Sequence, residues 1–100
     1  MKQRKYRIRS GTQSSPSVLI DTAAGDNPAA KMRSGAMLLI DGDGRGITVL
    51  CTKGTSCLTQ PSDPEDHILR SGETFVIDKK GLVAITALTN LHLNLLTTPS

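Results

Sequence analysis

Gly54–Glu73, GTSCLTQPSDPEDHILRSGE, is the stretch whose reading decides the fold. Thr55–Gln60 alternates and is rich in Thr and apolar residues, which suits a half-buried strand. Pro61–Asp66 follows with two prolines and three acids, a composition that makes turns because Pro presets φ and Asp accepts nearby backbone N–H bonds. His67–Arg70 resumes an extended pattern, and Ser71-Gly72 turns the chain again.

The same rhythm extends outward in both directions. Ala36–Asp41 is an apolar run that ends in the glycine-rich Gly42–Gly46, and Ile47–Thr52 follows with β-branched residues, so a hairpin is expected there. Lys53-Gly54 reads as a second two-residue hairpin loop. Beyond Gly72, Thr74–Asp78 places Phe75 and Ile77 on one face, and Lys79-Lys80-Gly81 turns into Leu82–Leu88, where Val83, Ile85 and Ala87 share a side. Leu91, Leu93 and Leu95 mark a last strand, their strict alternation favouring strand over helix. Seven short strands with turns every eight to twelve residues predict an all-β antiparallel barrel or sandwich.

Residues 1–35 differ in character. Through residue 36 the chain carries Lys2, Arg4, Lys5, Arg7, Arg9, Lys31 and Arg33 against Asp21 and Asp26, a net of +5, while the remainder is net −2, which together make the chain's +3. Ser10–Pro28 is rich in Ser, Thr, Gly, Ala, Asp and Pro, and Val18–Ile20 alone within it suits burial, as one edge strand at most. The expectation is a basic, mostly flexible N-terminal extension over 1–35 attached to a β domain over 36–100.

The core must be built from aliphatics, because Tyr6 and Phe75 are the aromatics of the whole chain. A small domain of this kind buries little of its surface and is marginal alone, which favours a homo-oligomer, a dimer in the simplest case. The longest apolar runs, Ala36–Ile40 and Val18–Ile20, are too short to cross a bilayer, so no membrane role is expected. No apolar stretch follows Lys2, Arg4 and Lys5 to complete a signal peptide, and the cytoplasm with reduced thiols is the default. If Lys53-Gly54 is a two-residue loop, Cys51 opposes Ser56 and Leu50 opposes Cys57, which points the thiols to opposite faces. A disulfide needs another register, so both read as small buried apolar residues.

From about Ala36 to Leu96 the chain resembles a family of small bacterial proteins catalogued as domain of unknown function 2917, which is cupin-like. Gly54, then Cys57-Leu58-Thr59, Asp66 with Leu69, Gly72-Glu73 and Gly81-Leu82-Val83 carry the likeness. It implies a cupin-like β-barrel and no established activity. Where that family usually shows an aromatic strand residue, this chain has Ser56-Cys57-Leu58-Thr59, which removes the largest expected core side chain.

Cupins often hold a metal with a His-x-His pair and a glutamate on inner strand positions, but this chain has His67 and His92 alone, 25 positions apart, and Leu82-Val83-Ala84 follows Gly81 where a further histidine is needed. No metal or other cofactor is expected. Asp41-Gly42-Asp43-Gly44-Arg45-Gly46 has the acidic spacing of a calcium loop, yet Arg45 stands at a ligand position and Thr52 where a bidentate Glu is required, so it reads as a turn. Asp63, Glu65, Asp66 and His67 cluster after Pro61. Their plain reading is a turn in which Asp63 and Asp66 accept backbone N–H bonds; their functional reading is a pocket of His67 with Asp66 or Glu73.

Three functions follow as expectations. The first is a non-enzymatic, metal-free module for ligand sensing or protein interaction. The second is a nucleic-acid-associated accessory protein that neutralises phosphates with Lys2, Arg4, Lys5, Arg7 and Arg9. The third is a small-molecule isomerase or lyase with His67 as acid/base.

Overall fold

The computed structural model describes residues 6–11, 18–21 and 27–96. Ten strands run through them: β1 (Tyr6–Ser10), β2 (Val18–Asp21), β3 (Ala29–Met32), β4 (Met37–Gly42), β5 (Thr48–Lys53), β6 (Thr55–Thr59), β7 (His67–Arg70), β8 (Thr74–Val76), β9 (Val83–Ala87) and β10 (Leu91–Leu96). They form two antiparallel five-stranded sheets, a front sheet in the order β1-β4-β9-β6-β7 and a back sheet in the order β2-β3-β10-β5-β8. The seven strands read from residue 36 onward are β4–β10. Segment 1–35 contributes three more, and Ala30 and Met32 of β3 are buried in the core.

Two expected hairpins are corrected. β4 lies in the front sheet and β5 in the back, so Gly42–Gly46 is a crossing between sheets; β5 and β6 likewise belong to different sheets, so Lys53-Gly54 is a corner. Of the consecutive strands, β2–β3 and β6–β7 are hydrogen-bonded neighbours, whereas each of the other seven pairs switches sheets. That is the habit of a double-sheet roll, in which one twisted layer closes over the other and the apolar face of each is covered.

The corner explains its glycine. Gly54 has φ 89°, and a Cβ there would collide with the Asn90 carbonyl oxygen and lie 2.8 Å from Thr89 Oγ1. The same Thr89 hydroxyl accepts the Thr55 N–H at 3.0 Å, and the Leu88 N–H donates to Thr55 O at 3.0 Å. The β5–β6 corner is thus seated on the β9–β10 corner, with the Thr89 hydroxyl bonded between them and no room for a side chain at position 54.

Inward-facing residues fill the space between the sheets. Leu38, Ile40, Val49, Leu58, Val83, Ile85, Leu91, Leu93 and Leu95 are each at most 1 % exposed. Cys51 joins them, but Cys57 is half-buried on the outer face of the front sheet, not in the core as expected. Both thiols are free and lie in different sheets.

Candidate functional site

The acidic turn builds a cleft at one end of the roll. Gln60, at the end of β6, is 6 % exposed and acts as its hub. Its Oε1 accepts the Asp78 N–H at 3.2 Å, while its Nε2 donates to Asp78 Oδ1 at 3.1 Å and to Asp63 Oδ2 at 3.3 Å. Asp63 Oδ1 also accepts the Glu65 N–H at 3.0 Å, closing the turn, and Ser62 beside it sits at φ 60°. His67 then places Nε2 at 2.7 Å from Asp63 Oδ2 and its ring 4.5 Å from that of Phe75 in a tilted contact. Together with Pro64, Glu65, Val76 and Lys79, these residues line an open cleft of about 450 Å³.

The electrostatics follow from this geometry. The His67 hydrogen bond, the Glu65 N–H and the Gln60 amide hold the Asp63 carboxyl down to about 2. At neutral pH Asp63 is therefore an acceptor only, and His67 Nε2 must carry the proton between them. Among the described residues His67 Nδ1 has no hydrogen-bond partner and is not buried, since no buried side-chain polar atom there lacks one. Because folded Asp63 binds its proton less tightly than an unfolded Asp, its contribution to stability is full above about pH 4 and is lost as pH falls toward the folded value. Protection of the amides across 60–67, measured against their intrinsic exchange rates, is expected to fall over that window in the wild type. In Asp63→Asn that protection is expected to be low already at pH 6; protection unchanged by the substitution would refute the role of this carboxylate.

The residues singled out from sequence fall in several places. His67 lines the cleft, but its acidic partner is Asp63, and neither Asp66 nor Glu73 contributes to the lining. Glu73 Oε1 accepts the Arg70 N–H across the β7–β8 turn. Asp66 is exposed next to the outer face of the front sheet; burial pushes the Cys57 thiol up and Asp66 adds to it. Lys2, Arg4 and Lys5 lie outside the described residues. Arg7 and Arg9 are exposed on β1, Arg9 lying 3.6 Å from Asp41. Gln60, Phe75 and Asp78 were not anticipated: they lie up to 18 positions apart and meet only through the fold. Among the described residues no three His, Cys, Asp or Glu side chains converge as metal ligands, and Arg45 pairs with Asp43 at 2.7 Å where the sequence resembled a calcium loop.

A second surface is the outer face of the front sheet. One row across it reads Arg9, Leu39, Ala84, Thr59, with Asp66 next when the β6–β7 register is continued one step; the row beside it reads Met37, Thr86, Cys57, Ile68. Its centre carries no charge, and Ile68 is 43 % exposed. An outward sheet face in a sandwich is ordinarily polar.

No family model matches the sequence and no curated protein matches it. Solved structures do match by fold. A cupin superfamily protein from Desulfitobacterium hafniense aligns over 100 % of this chain and 84 % of its own, with 13 % identity and a TM-score of 0.64. Drosophila melanogaster CENP-C, in its complex with CAL1, aligns over 86 % of this chain and 78 % of its own at 9 % identity and a TM-score of 0.63. The cupin domain of an XRE family transcriptional regulator from Enterobacter cloacae aligns over 97 % of this chain and 100 % of its own at 13 % identity and a TM-score of 0.58. The chain has the cupin fold, and at these identities the likeness is one of fold alone.

Proposed function

We propose that the protein is a metal-free, non-enzymatic cupin module of the small bacterial family it resembles, that it acts in the cytoplasm through protein interaction, and that it works as a homodimer joined by the outer faces of the front sheets. The observation that carries this reading is the uncharged centre of that face, bounded by Arg9 at one margin and Asp66 at the other. A two-fold axis along β9 lays the row on its own reverse: Arg9 of one copy meets Asp66 of the second, Met37 meets Cys57, and Thr86 meets itself. Such self-complementarity is what an isologous interface requires. A core filled by aliphatic side chains favours protein interaction over sensing of a ligand held inside. The glycines of the resemblance fit it too, since Gly54 and Gly81 have φ 89° and 112° with neighbours where a Cβ would stand. Partner binding by CENP-C and the place of a cupin domain in a regulator add support from the fold.

Size-exclusion chromatography with light scattering tests the dimer. Thr86→Arg sets two cations against each other on the axis and is expected to weaken association more than about a hundredfold. Arg9→Glu alone weakens it several-fold, and Arg9→Glu with Asp66→Arg restores it. A wild-type monomer up to the solubility limit overturns the reading.

The acid/base alternative draws on one observation, the accessible Nδ1 of a histidine oriented by Asp63 at 2.7 Å in a concave site. An isomerase or lyase acting beside a carbonyl must also stabilise developing negative charge. Asp63, Glu65 and Asp78 surround that site against Lys79, which opposes such an intermediate. For a nucleic-acid role, Lys2, Arg4, Lys5, Arg7 and Arg9 are the contacts to test, through salt-dependent binding to mixed oligonucleotides that is lost on deleting residues 1–10.

A further inference from the structure

The cleft lies at the end of an open sheet edge. β8 is the last strand of the back sheet, and its phase follows from the bonds around it: the Cys51 N–H donates to Glu73 O and the Ile77 N–H to Ile47 O. In an antiparallel ladder the bonded positions alternate, so Glu73, Phe75 and Ile77 face β5, and the backbone groups of Thr74 and Val76 face away from it. Both residues are exposed, Val76 at 56 %. The next outward position, Asp78, has its N–H taken by Gln60, so the edge is capped where the cleft begins and open before it. This is the arrangement that accepts an added strand.

The charge of the cleft says what such a strand carries. Three carboxylates line it against Lys79. Asp63 has both oxygens engaged by His67, Gln60 and the Glu65 N–H. Glu65 and Asp78 are freer: among the described residues the Glu65 carboxylate has no hydrogen-bond partner, and Asp78 accepts at Oδ1 alone. Val76, Pro64 and the Phe75 ring give an apolar wall along which the stem of a long cationic side chain can lie.

We propose that the open edge of β8 and the acidic cleft at its end receive an extended segment of a partner polypeptide that pairs with Thr74 and Val76 and extends an arginine or lysine side chain to Glu65 and Asp78. The site is separate from the outer face of the front sheet, and its test does not depend on whether the protein dimerises. The partner's main chain supplies affinity along the edge, and the cation fixes register, because only one position of the added strand brings it over the carboxylates.

The probe is the synthetic peptide acetyl-Thr-Val-Thr-Arg-Ser-amide, titrated into the full-length isotope-labelled protein, with a control peptide carrying Gln in place of Arg. The Arg peptide is expected to shift the amides of Thr74, Val76 and Asp78, to slow exchange at Thr74 and Val76, and to bind at least tenfold more tightly than the Gln peptide. Raising the salt is expected to weaken it several-fold. Val76→Pro removes an edge N–H that β5 does not use, so the sheet is kept while strand addition is blocked, and binding is expected to fall at least tenfold. Glu65→Gln with Asp78→Asn is expected to erase the preference for Arg and leave a weak, salt-insensitive residue of binding. Equal affinity for the Arg and Gln peptides, or amide shifts confined to other strands, overturns the proposal. Should Val76→Pro disturb the amide spectrum as a whole, the Glu65→Gln/Asp78→Asn protein gives the deciding comparison.

Discussion

Replacing Gly54 with alanine is expected to be the most damaging single-methyl change in the molecule. The new Cβ has no room, because the Asn90 carbonyl oxygen and Thr89 Oγ1 already occupy that side of the corner. Backbone, not a flexible side-chain end, is the obstacle, so the β5–β6 corner must lift away from the β9–β10 corner. That movement weakens the bonds from Thr55 N–H to Thr89 and from the Leu88 and Thr89 N–H groups to Thr55 O. Alanine's left-handed strain costs about 1 to 2 kcal/mol, and two or three weakened hydrogen bonds add about 1 kcal/mol each. The sum, about 3 to 5 kcal/mol, is a large part of the roughly 5 to 15 kcal/mol that a domain of this size has. It corresponds to a fall in Tm of roughly 15 to 30 °C.

The control is internal. Gly72 and Gly46 also have positive φ, 90° and 94°, but nothing lies within 4 Å of a Cβ built on either. Gly72→Ala and Gly46→Ala therefore carry the conformational cost alone, about 1 to 2 kcal/mol each. Thermal or urea unfolding of the three variants side by side separates steric from conformational cost. A Gly54→Ala protein that melts within a few degrees of Gly72→Ala would show that the corner is not seated as described.

What the sequence yielded and what it withheld divide along a physical line. Alternation is local, so Val83, Ile85 and Ala87, and Leu91, Leu93 and Leu95, could be assigned to the inner face of strands without knowing their neighbours, and all six are buried. Pairing is not local. Lys53-Gly54 has the composition of a hairpin loop, and nothing in its own residues says that the strands on either side bond to β10 and β9 instead of each other. The constraint that decides it is the Asn90 carbonyl, 36 residues along the chain. Asp63 and His67 are four positions apart in one turn, so their pairing lay within reach of a sequence reading, which favoured Asp66 or Glu73 instead. Alternation explains that error: Asp66 and His67 are adjacent at the start of a strand and point to opposite faces. Gln60 and Asp78 meet through the crossing from β7 in the front sheet to β8 in the back, and no spacing rule connects them.

Leu93→Ala is the second large effect, and it bears on function because it asks whether the roll has room inside. Leu93 sits on β10, the central strand of the back sheet, between Ala30 on β3 and Cys51 on β5, and is 1 % exposed. Its small flanking neighbours cannot reach across to fill the space its side chain leaves. Truncating a leucine in a close-packed core costs its transfer free energy plus a cavity term, about 3 to 5 kcal/mol where relaxation is slight. Truncation into an existing water-filled chamber has no such cavity term and costs only part of the transfer, below about 2 kcal/mol. Leu19→Ala, on β2 and 62 % exposed, gives the baseline at about 0.5 kcal/mol. Chemical unfolding distinguishes the two interiors, and xenon gives an independent readout: the variant is expected to take it up at the new apolar cavity, and the wild type is not. Where Leu93→Ala proves too unstable to purify, Ile85→Val asks the same question at about 1 kcal/mol. A cheap Leu93→Ala together with xenon uptake by the wild type would mean an open barrel. Recognition would then move from the outer faces and the β8 edge to a chamber between the sheets.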